Sequence, residues 1–356
     1  MKVHEIHKVP HRRYNILTGE WVLVSPQRAS RPWQGKTENI AEDERPKFDP
    51  SCYLCPGNIR ASGKVNPFYN QPYSFHNDFA ALSEENDGLW LKDGLLLSES
   101  ESGICKVVCF SSDHSLTLPL MSVKDICAVV TLWQKEYFEL GRIDGVNHVL
   151  IFENKGETMG CSNPHPHGQI WAQCSIPQEI QKKTSHLKAY WKQHNKSLLE
   201  HYLARELVLD ERVVIENNHF AVVVPYWAIW PYETMIVPKR KMAHIGELEN
   251  DEKYAFAEII KRLTTRYDNL FQTSFPYSAG IHQAPTDGKE HPEWHFHMSF
   301  YPPLLRSATV KKFMVGYELF ACPQRDITAE QAAMRLKNLS ETHYGLEPDF
   351  FSNGQN

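Results

Sequence analysis

Apolar residues recur along this chain with two periods. Between Ser122 and Leu140 the residues Ile126, Val129, Val130, Trp133, Tyr137 and Leu140 form one stripe. Ser122 with Asp125 makes a capping-box-like start, so the spacing predicts a helix there. Tyr254, Ile259, Ile260, Leu263, Tyr267 and Leu270 predict a second long helix, starting near Asn250, with these residues as its buried face. Residues 178–209 are more polar, and Leu187, Tyr190, Trp191, Leu198, Leu199 and Leu203 are spaced among Lys, Gln and Glu as in a linker helix or helix pair. Thr328 can cap a helix over Ala329–Leu339. Shorter apolar runs predict strands at His148–Phe152 and near Thr234–Val237, and a hairpin of 212–216 and 219–224 around Asn217-Asn218. Before about residue 70 turn formers dominate, and extended segments lying over a core are expected.

The second half repeats the plan of the first. Each half has an Asn/Asp-Phe-Ala strand start (Asn77–Ala80 and Asn218–Ala221) and a strand near Leu118-Pro119 or Val237-Pro238. Each then has a long amphipathic helix and a histidine-bearing strand, with His165-Pro-His167 and His295-Phe-His297. The expected fold is α/β (α+β), a duplicated unit of mainly antiparallel sheet flanked by helices, with halves 1–177 and 178–356.

The 356 residues suffice for two domains or one large α/β unit with a sizeable core, and the formal charge is −5. No basic stripe supports nucleic-acid binding. No apolar run reaches the roughly 18 residues of a spanning helix, so no membrane partner is expected. The start Met-Lys-Val-His-Glu-Ile-His has no apolar h-region, and a cytoplasmic protein is expected. Eight cysteines in so long a chain do not read as a disulfide scaffold.

Chemistry concentrates in Cys161-Ser-Asn-Pro-His-Pro-His-Gly-Gln-Ile-Trp171. On an extended backbone His165, His167, Gln169 and Trp171 share one face, and a row of polar groups on an apolar strand needs partners or a function. Cys161 beside it reads as structural. Cys52-Tyr-Leu-Cys55-Pro-Gly is a knuckle whose thiolates can turn onto one tetrahedral ion. No second Cys-x-x-Cys follows, so histidines complete the set, with His114 and His165 as candidates for one structural zinc. His167 is the candidate nucleophile. A neutral imidazole attacks phosphorus without a separate base and leaves well once protonated. A carbonyl accepting from its Nδ1–H would leave Nε2 for the phosphate. Gln169 can hold a phosphate oxygen without relaying a proton.

These motifs, with Cys52-x-x-Cys55-Pro-Gly-Asn58, Phe75-His-Asn-Asp-Phe-Ala80, Phe152-Glu-Asn-Lys-Gly156 and Tyr301-Pro-Pro-Leu-Leu-Arg-Ser-Ala-Thr309, resemble the galactose-1-phosphate uridylyltransferase family of the histidine-triad superfamily. The resemblance runs from His11-Arg-Arg-Tyr14 to Gln324–Gln331. It implies two histidine-triad-like halves and ping-pong transfer of UMP from UDP-glucose to galactose 1-phosphate through uridylyl-His167. Ser162 and Gln169 match its phosphate contacts. Arg28, Arg31, Ala61, Asn77, Asp78 and Asn154 match its nucleotide-binding positions. In the dimers it implies, Lys312, Phe313, Val315, Tyr317, Glu318 and Gln324 reach the partner subunit's site. Cys52, Cys55, His114 and His165 match its zinc site.

The family's second metal site (iron or zinc) has a glutamate, a Gly-x-His and a His-x-His. Here Gly280-Ile-His282 and His297 remain, but Lys183 stands at the glutamate position and Ser299 at the last histidine. An empty or weakened site is expected, with Glu179 a possible stand-in carboxylate. Alternative readings are a related sugar-1-phosphate nucleotidyltransferase or phosphorylase, for which ADP-glucose is the donor to test, and a histidine-triad nucleotide hydrolase, which Gln169 opposes.

Overall fold

The computed structural model describes residues 6–30, 45–85 and 88–346. Strands run in chain order as β1 (His11–Tyr14), β2 (Trp21–Val24), β3 (Tyr73–His76), β4 (Trp90–Asp93), β5 (Leu96–Glu99), β6 (Gly103–Cys109), β7 (His148–Lys155), β8 (His167–Gln173), β9 (Val213–Glu216), β10 (Phe220–Val223), β11 (Thr234–Pro238), β12 (Tyr277–His282), β13 (His297–Tyr301) and β14 (Gln324–Arg325). Nine of them form one sheet in the order β3-β6-β8-β7-β12-β13-β11-β10-β9, every neighbouring pair antiparallel. The β7–β12 pairing joins strands of the first half of the chain to strands of the second.

Helices follow the local signals closely. Ser122 accepts from the Asp125 N–H and opens α1 (Val123–Gly141). The polar segment is a helix pair, α2 (Gln178–His194) and α3 (Leu198–Leu209). Helix α4 (Asn250–Phe271) starts with a reciprocal Glu249/Glu252 capping box. A short α5 (Tyr317–Phe320) precedes α6 (Ala329–Lys337), which Thr328 caps as expected. None of the described helices is long and apolar enough to cross a membrane.

Period-two alternation divides the sheet's two faces. Val108, Ile151, Ile170, Val222 and Ile236 pack into one core with Ile126, Val129 and Val130 of α1 and Ile259, Ile260 and Leu263 of α4. Each such side chain is worth roughly 1.5–3 kcal/mol when fully buried. On the opposite face, Ala221, Val223, Met235 and Val237 pack under α2 and α3 through Ile180, Leu187, Leu199 and Leu203. At the other end of that face Val107 and Cys109 pack against Leu54 and the Cys52/Cys55 knuckle. One face thus carries two long helices, while the other is covered by α2 and α3 at one end and a loop at the other.

A separate sheet, β1-β2-β14, lies outside this frame. It is tied down by Arg13, whose guanidinium donates to both Glu330 oxygens at 3.0 and 2.9 Å. Arg212 adds a 2.7 Å bond to the same carboxylate.

Two details of the repeat are corrected. Asn77–Ala80 lies in the turn after β3, not at a strand start, whereas Asn218–Ala221 does lead into β10. Leu118-Pro119 sits in turns before α1, and the strand of that half, β6, ends earlier at Cys109. In both places Asn and Pro served turns, where their backbone preferences are also satisfied.

Candidate active site and metal centre

Strand β8 carries the site because its two faces differ. Gly168 and Ile170 are buried, whereas His167, Gln169 and Trp171 stand half-buried on the other face. Gly168 is required by its neighbours. A Cβ there would lie 2.8 Å from the Phe152 carbonyl oxygen and 2.9 Å from Phe110 Cζ. The close approach is therefore made by the protein's own core, on the face away from the cleft.

His167 Nδ1 lies 2.7 Å from the His165 carbonyl oxygen. A carbonyl only accepts, so Nδ1 carries the proton and Nε2 keeps its lone pair, left to the cleft that the ring lines. Burial lowers the His167 pKa below its ordinary value, partly opposed by the bond to that carbonyl. The imidazole is thus neutral near pH 7. Gln169 is oriented in a similar way. Trp171 Nε1–H, which can only donate, lies 3.2 Å from the Gln169 amide oxygen, so the amide NH₂ is left to donate into the cleft.

A cleft of about 210 Å³ opens over this face. Ala61, Asn77, Asp78, Asn154, Ser162, His167 and Gln169 all line it. Asn154 accepts from Ser278 Oγ at 2.7 Å, which likewise turns its NH₂ outward. Asp78 accepts from the Ser62 N–H at 3.2 Å and pairs with Arg60 at 3.7 Å. Sequence reasoning missed the cleft's apolar wall, made by Tyr53, Phe75, Phe79 and Val107. It also missed Arg60, whose guanidinium lies over the Phe75 ring at 4.2 Å. A larger cleft of about 760 Å³ shares Asn154, Ser162 and His167. Its wall includes Glu153, a buried carboxyl that desolvation pushes up to about 7.

The other expected substrate residues lie elsewhere. Lys312 pairs with Glu318 and donates to the Gln324 carbonyl oxygen at 2.7 Å. Gln324 donates to Asp326 at 2.6 Å, and Arg28 donates to the same Asp326 oxygen at 3.1 Å. Phe313, Val315 and Tyr317 are more than half exposed, which excludes a core role. None of these seven lines either of the two clefts that His167 lines. Arg28 therefore belongs with the Lys312–Gln324 group and not with Asn77 and Asp78. Arg31 lies outside the described residues.

Cys52, Cys55, His114 and His165 come together as a buried cluster, with ligand atoms within 4.8 Å of one another. Cys55 Sγ lies 3.6 Å from Nδ1 of both His114 and His165. A thiolate and an imidazole sharing a tetrahedral ion at zinc-like bond lengths should lie about 3.6 Å apart. The cluster therefore fits a metal ion. His165 Nε2 donates to the Ser111 carbonyl oxygen at 2.8 Å and faces Tyr69 Oη at 3.0 Å. These contacts fix the tautomer that frees Nδ1 for a metal. Neither partner carried a sequence signal, but Asn163, whose Oδ1 accepts from the His165 N–H at 2.9 Å, has the short spacing of a local turn. Cys161 Sγ donates to the Asn163 carbonyl oxygen, and burial raises its pKa, which suits a structural thiol.

The second set of ligands does not fit an ion. Lys183 Nζ lies 3.1 Å from His297 Nε2, with both residues buried. Glu179 does not stand in, because it pairs at the surface with Lys182 at 2.9 Å.

Known proteins match most of the chain. Residues 1–177 match the family described as galactose-1-phosphate uridyl transferase, N-terminal domain, and residues 182–347 its C-terminal domain. The galactose-1-phosphate uridylyltransferase of Haemophilus influenzae is 52% identical over 336 residues, 94% of this chain and 96% of that protein. That of Saccharomyces cerevisiae is 50% identical over 354 residues, 94% and 96% of the two chains. Among solved structures, a uridylyltransferase superposes with a TM-score of 0.73 at 24% identity, covering 92% of this chain and 97% of that one. An ADP-glucose phosphorylase from Arabidopsis thaliana gives 0.73 at 22% identity, covering 93% and 99%. At those identities the two structures speak to the fold, and it is the sequence matches over both halves that place the chain in the galactose-1-phosphate uridyl transferase family.

Proposed function

We propose that this protein transfers UMP from UDP-glucose to galactose 1-phosphate, with His167 as the nucleophile. The observation that carries the reading is the His167 Nδ1 contact with the His165 carbonyl, which leaves Nε2 as a neutral lone pair at the cleft. In the first half-reaction Nε2 attacks the α-phosphorus. The bond from phosphorus to the bridging oxygen breaks, and glucose 1-phosphate leaves with the electron pair. The positive charge on the ring is then stabilised by the carbonyl that accepts from Nδ1. In the second half-reaction a phosphate oxygen of galactose 1-phosphate attacks the same phosphorus, the phosphorus–nitrogen bond breaks, and the lone pair returns to Nε2. Gln169, through its amide NH₂, and Ser162, through its hydroxyl, donate to the phosphoryl oxygens as charge grows there. Ala61, Asn77, Asp78 and Asn154 hold the nucleoside end.

Cys52, Cys55, His114 and His165 are proposed to hold one structural zinc. When bound, it ties the knuckle to the strand end and so fixes the carbonyl that orients His167. Arg28, Lys312, Phe313, Val315, Tyr317, Glu318 and Gln324 are proposed to complete the site of a second copy in a homodimer. Support comes from the exposure of Phe313, Val315 and Tyr317, and from the fact that none of the seven lines either of the two clefts that His167 lines. We further propose that residues 1–177 and 178–356 act as two histidine-triad-like halves. That none of the eight cysteines is in a disulfide supports a proposed cytoplasmic setting.

The test is incubation with UDP-glucose labelled in the uridine, an alkaline quench, and mapping of the labelled peptide. The label is expected on His167 and is expected to vanish in His167→Gly. Label elsewhere, or full sugar exchange by that variant, refutes the reading.

A further inference from the structure

The large sheet reads alike from its two sides. From one edge the order is β3-β6-β8-β7, and inside the outermost β9 the other side reads β10-β11-β13-β12. Strand β13 is therefore the counterpart of β8. Each starts with a histidine, His167 or His297. Each of these rings sets Nδ1 against the carbonyl of the histidine two residues earlier, at 2.7 Å in β8 and 3.1 Å in β13. His297 is thus poised like His167, with Nδ1–H donating and Nε2 holding a lone pair. The halves differ in what that lone pair meets. In the first half the face is open as a cleft. In the second half α2 lies over it, β13 is buried on both faces, and Lys183 of α2 brings Nζ to 3.1 Å from His297 Nε2. His282 stands opposite His297 in the register of β12 and β13, the two rings stacked at 4.9 Å.

We propose that Lys183 is a built-in plug. Its amine donates to the one lone pair through which His297 could take a metal ion or a phosphoryl group, and the second site is sealed by the chain itself. An amine and a metal ion compete for the same Nε2, so the two occupancies exclude one another. A carboxylate at position 183 would turn the same geometry into a divalent-cation site with His282 and His297. The inference does not depend on the transfer reaction and is read without activity.

The test uses the full-length protein and Co²⁺. Wild type, His297→Gln, Lys183→Glu, Lys183→Ala and Lys183→Glu/His297→Gln are loaded, desalted and analysed for metal per chain, with the visible cobalt absorption recorded. The difference between proteins is read, so occupancy of the cysteine cluster cancels. Lys183→Glu is expected to hold one ion per chain more than wild type, and the His297→Gln partner substitution is expected to abolish the gain. If Lys183→Glu does not fold by circular dichroism, Lys183→Ala opens the lone pair without a buried charge and is expected to gain a weaker Co²⁺ signal. Equal metal content in wild type and the folded variants overturns the proposal. A wild-type ion that His297→Gln removes overturns it as well.

Discussion

Gly168→Ala probes how tightly the site depends on the sheet beneath it. The added methyl would lie 2.8 Å from the Phe152 carbonyl oxygen and 2.9 Å from Phe110 Cζ. Ordinary contact begins at 3.4 Å, so something must move by about 0.6 Å. The oxygen belongs to β7, which is paired with β8, and the ring is in the core, so neither yields freely. Overpacking of this kind costs roughly 1–3 kcal/mol, a few degrees in Tm for a chain of this size. Part of the shift will be taken by β8 and will carry His167 with it. A misplacement of about 1 Å can cost about 10²-fold, so half that should slow uridylylation by roughly tenfold. Gly280→Ala is the control. It lies in the neighbouring β12, where a Cβ would find its nearest atoms at 3.6 and 3.7 Å. Calorimetry and a single-turnover assay with labelled UDP-glucose, run on both variants, read the outcome. If Gly168→Ala keeps wild-type Tm and rate, or Gly280→Ala suffers equally, the argument from close approach is wrong.

Three further outcomes are expected. Trp171→Phe removes the indole N–H that sets the Gln169 amide, while a ring remains to face Phe152 at the present 5.8 Å. One hydrogen bond of about 1 kcal/mol predicts roughly a fivefold fall in the uridylylation rate with stability little changed, and an unaltered rate would show that Trp171 does not orient Gln169. Tyr69→Phe deletes the hydroxyl that bridges His165 Nε2 and the Leu54 carbonyl oxygen, and a titration against a chelator should show metal held roughly 10–100-fold more weakly. Burial opposes the charge of Glu330, but hydrogen bonds and charge from Arg13, joined by Arg212, outweigh it and hold its pKa down at about 2, below the usual 4.5. A carboxyl depressed on folding stabilises above its unfolded pKa and loses that contribution as pH falls through the folded value. Chemical denaturation of Glu330→Gln against wild type should therefore show a stability gap above pH 4.5 that narrows as pH falls towards 2.

Much of this protein is written locally. The α1 stripe, the α4 stripe except Tyr254, which is 54% exposed, the Ser122 and Thr328 caps and the hairpin at Asn217-Asn218 depend on residues within a few positions of one another, and they were legible from spacing alone. The knuckle and the histidine run were legible too, because metal-ligand and nucleophile chemistry limits which residue types can occupy such positions. Asn77–Ala80 and Leu118-Pro119 misled because Asn and Pro serve turns as readily as strand borders.

Tertiary structure decided what meets across the sheet. Which carbonyl fixes His165, which indole orients Gln169 and which aromatic side chains wall the cleft all follow from strand register and from loops folded over it. The same holds for Arg28, which lies beside Asp326 and not with Asn77. Two histidine strands whose first ring sets Nδ1 against the carbonyl two residues earlier have opposite fates, one open and one closed by Lys183, because α2 covers only one end of the face. Periodicity prescribes which side of a strand is polar. Only packing determines whether that polar side finds solvent, substrate or another part of the chain.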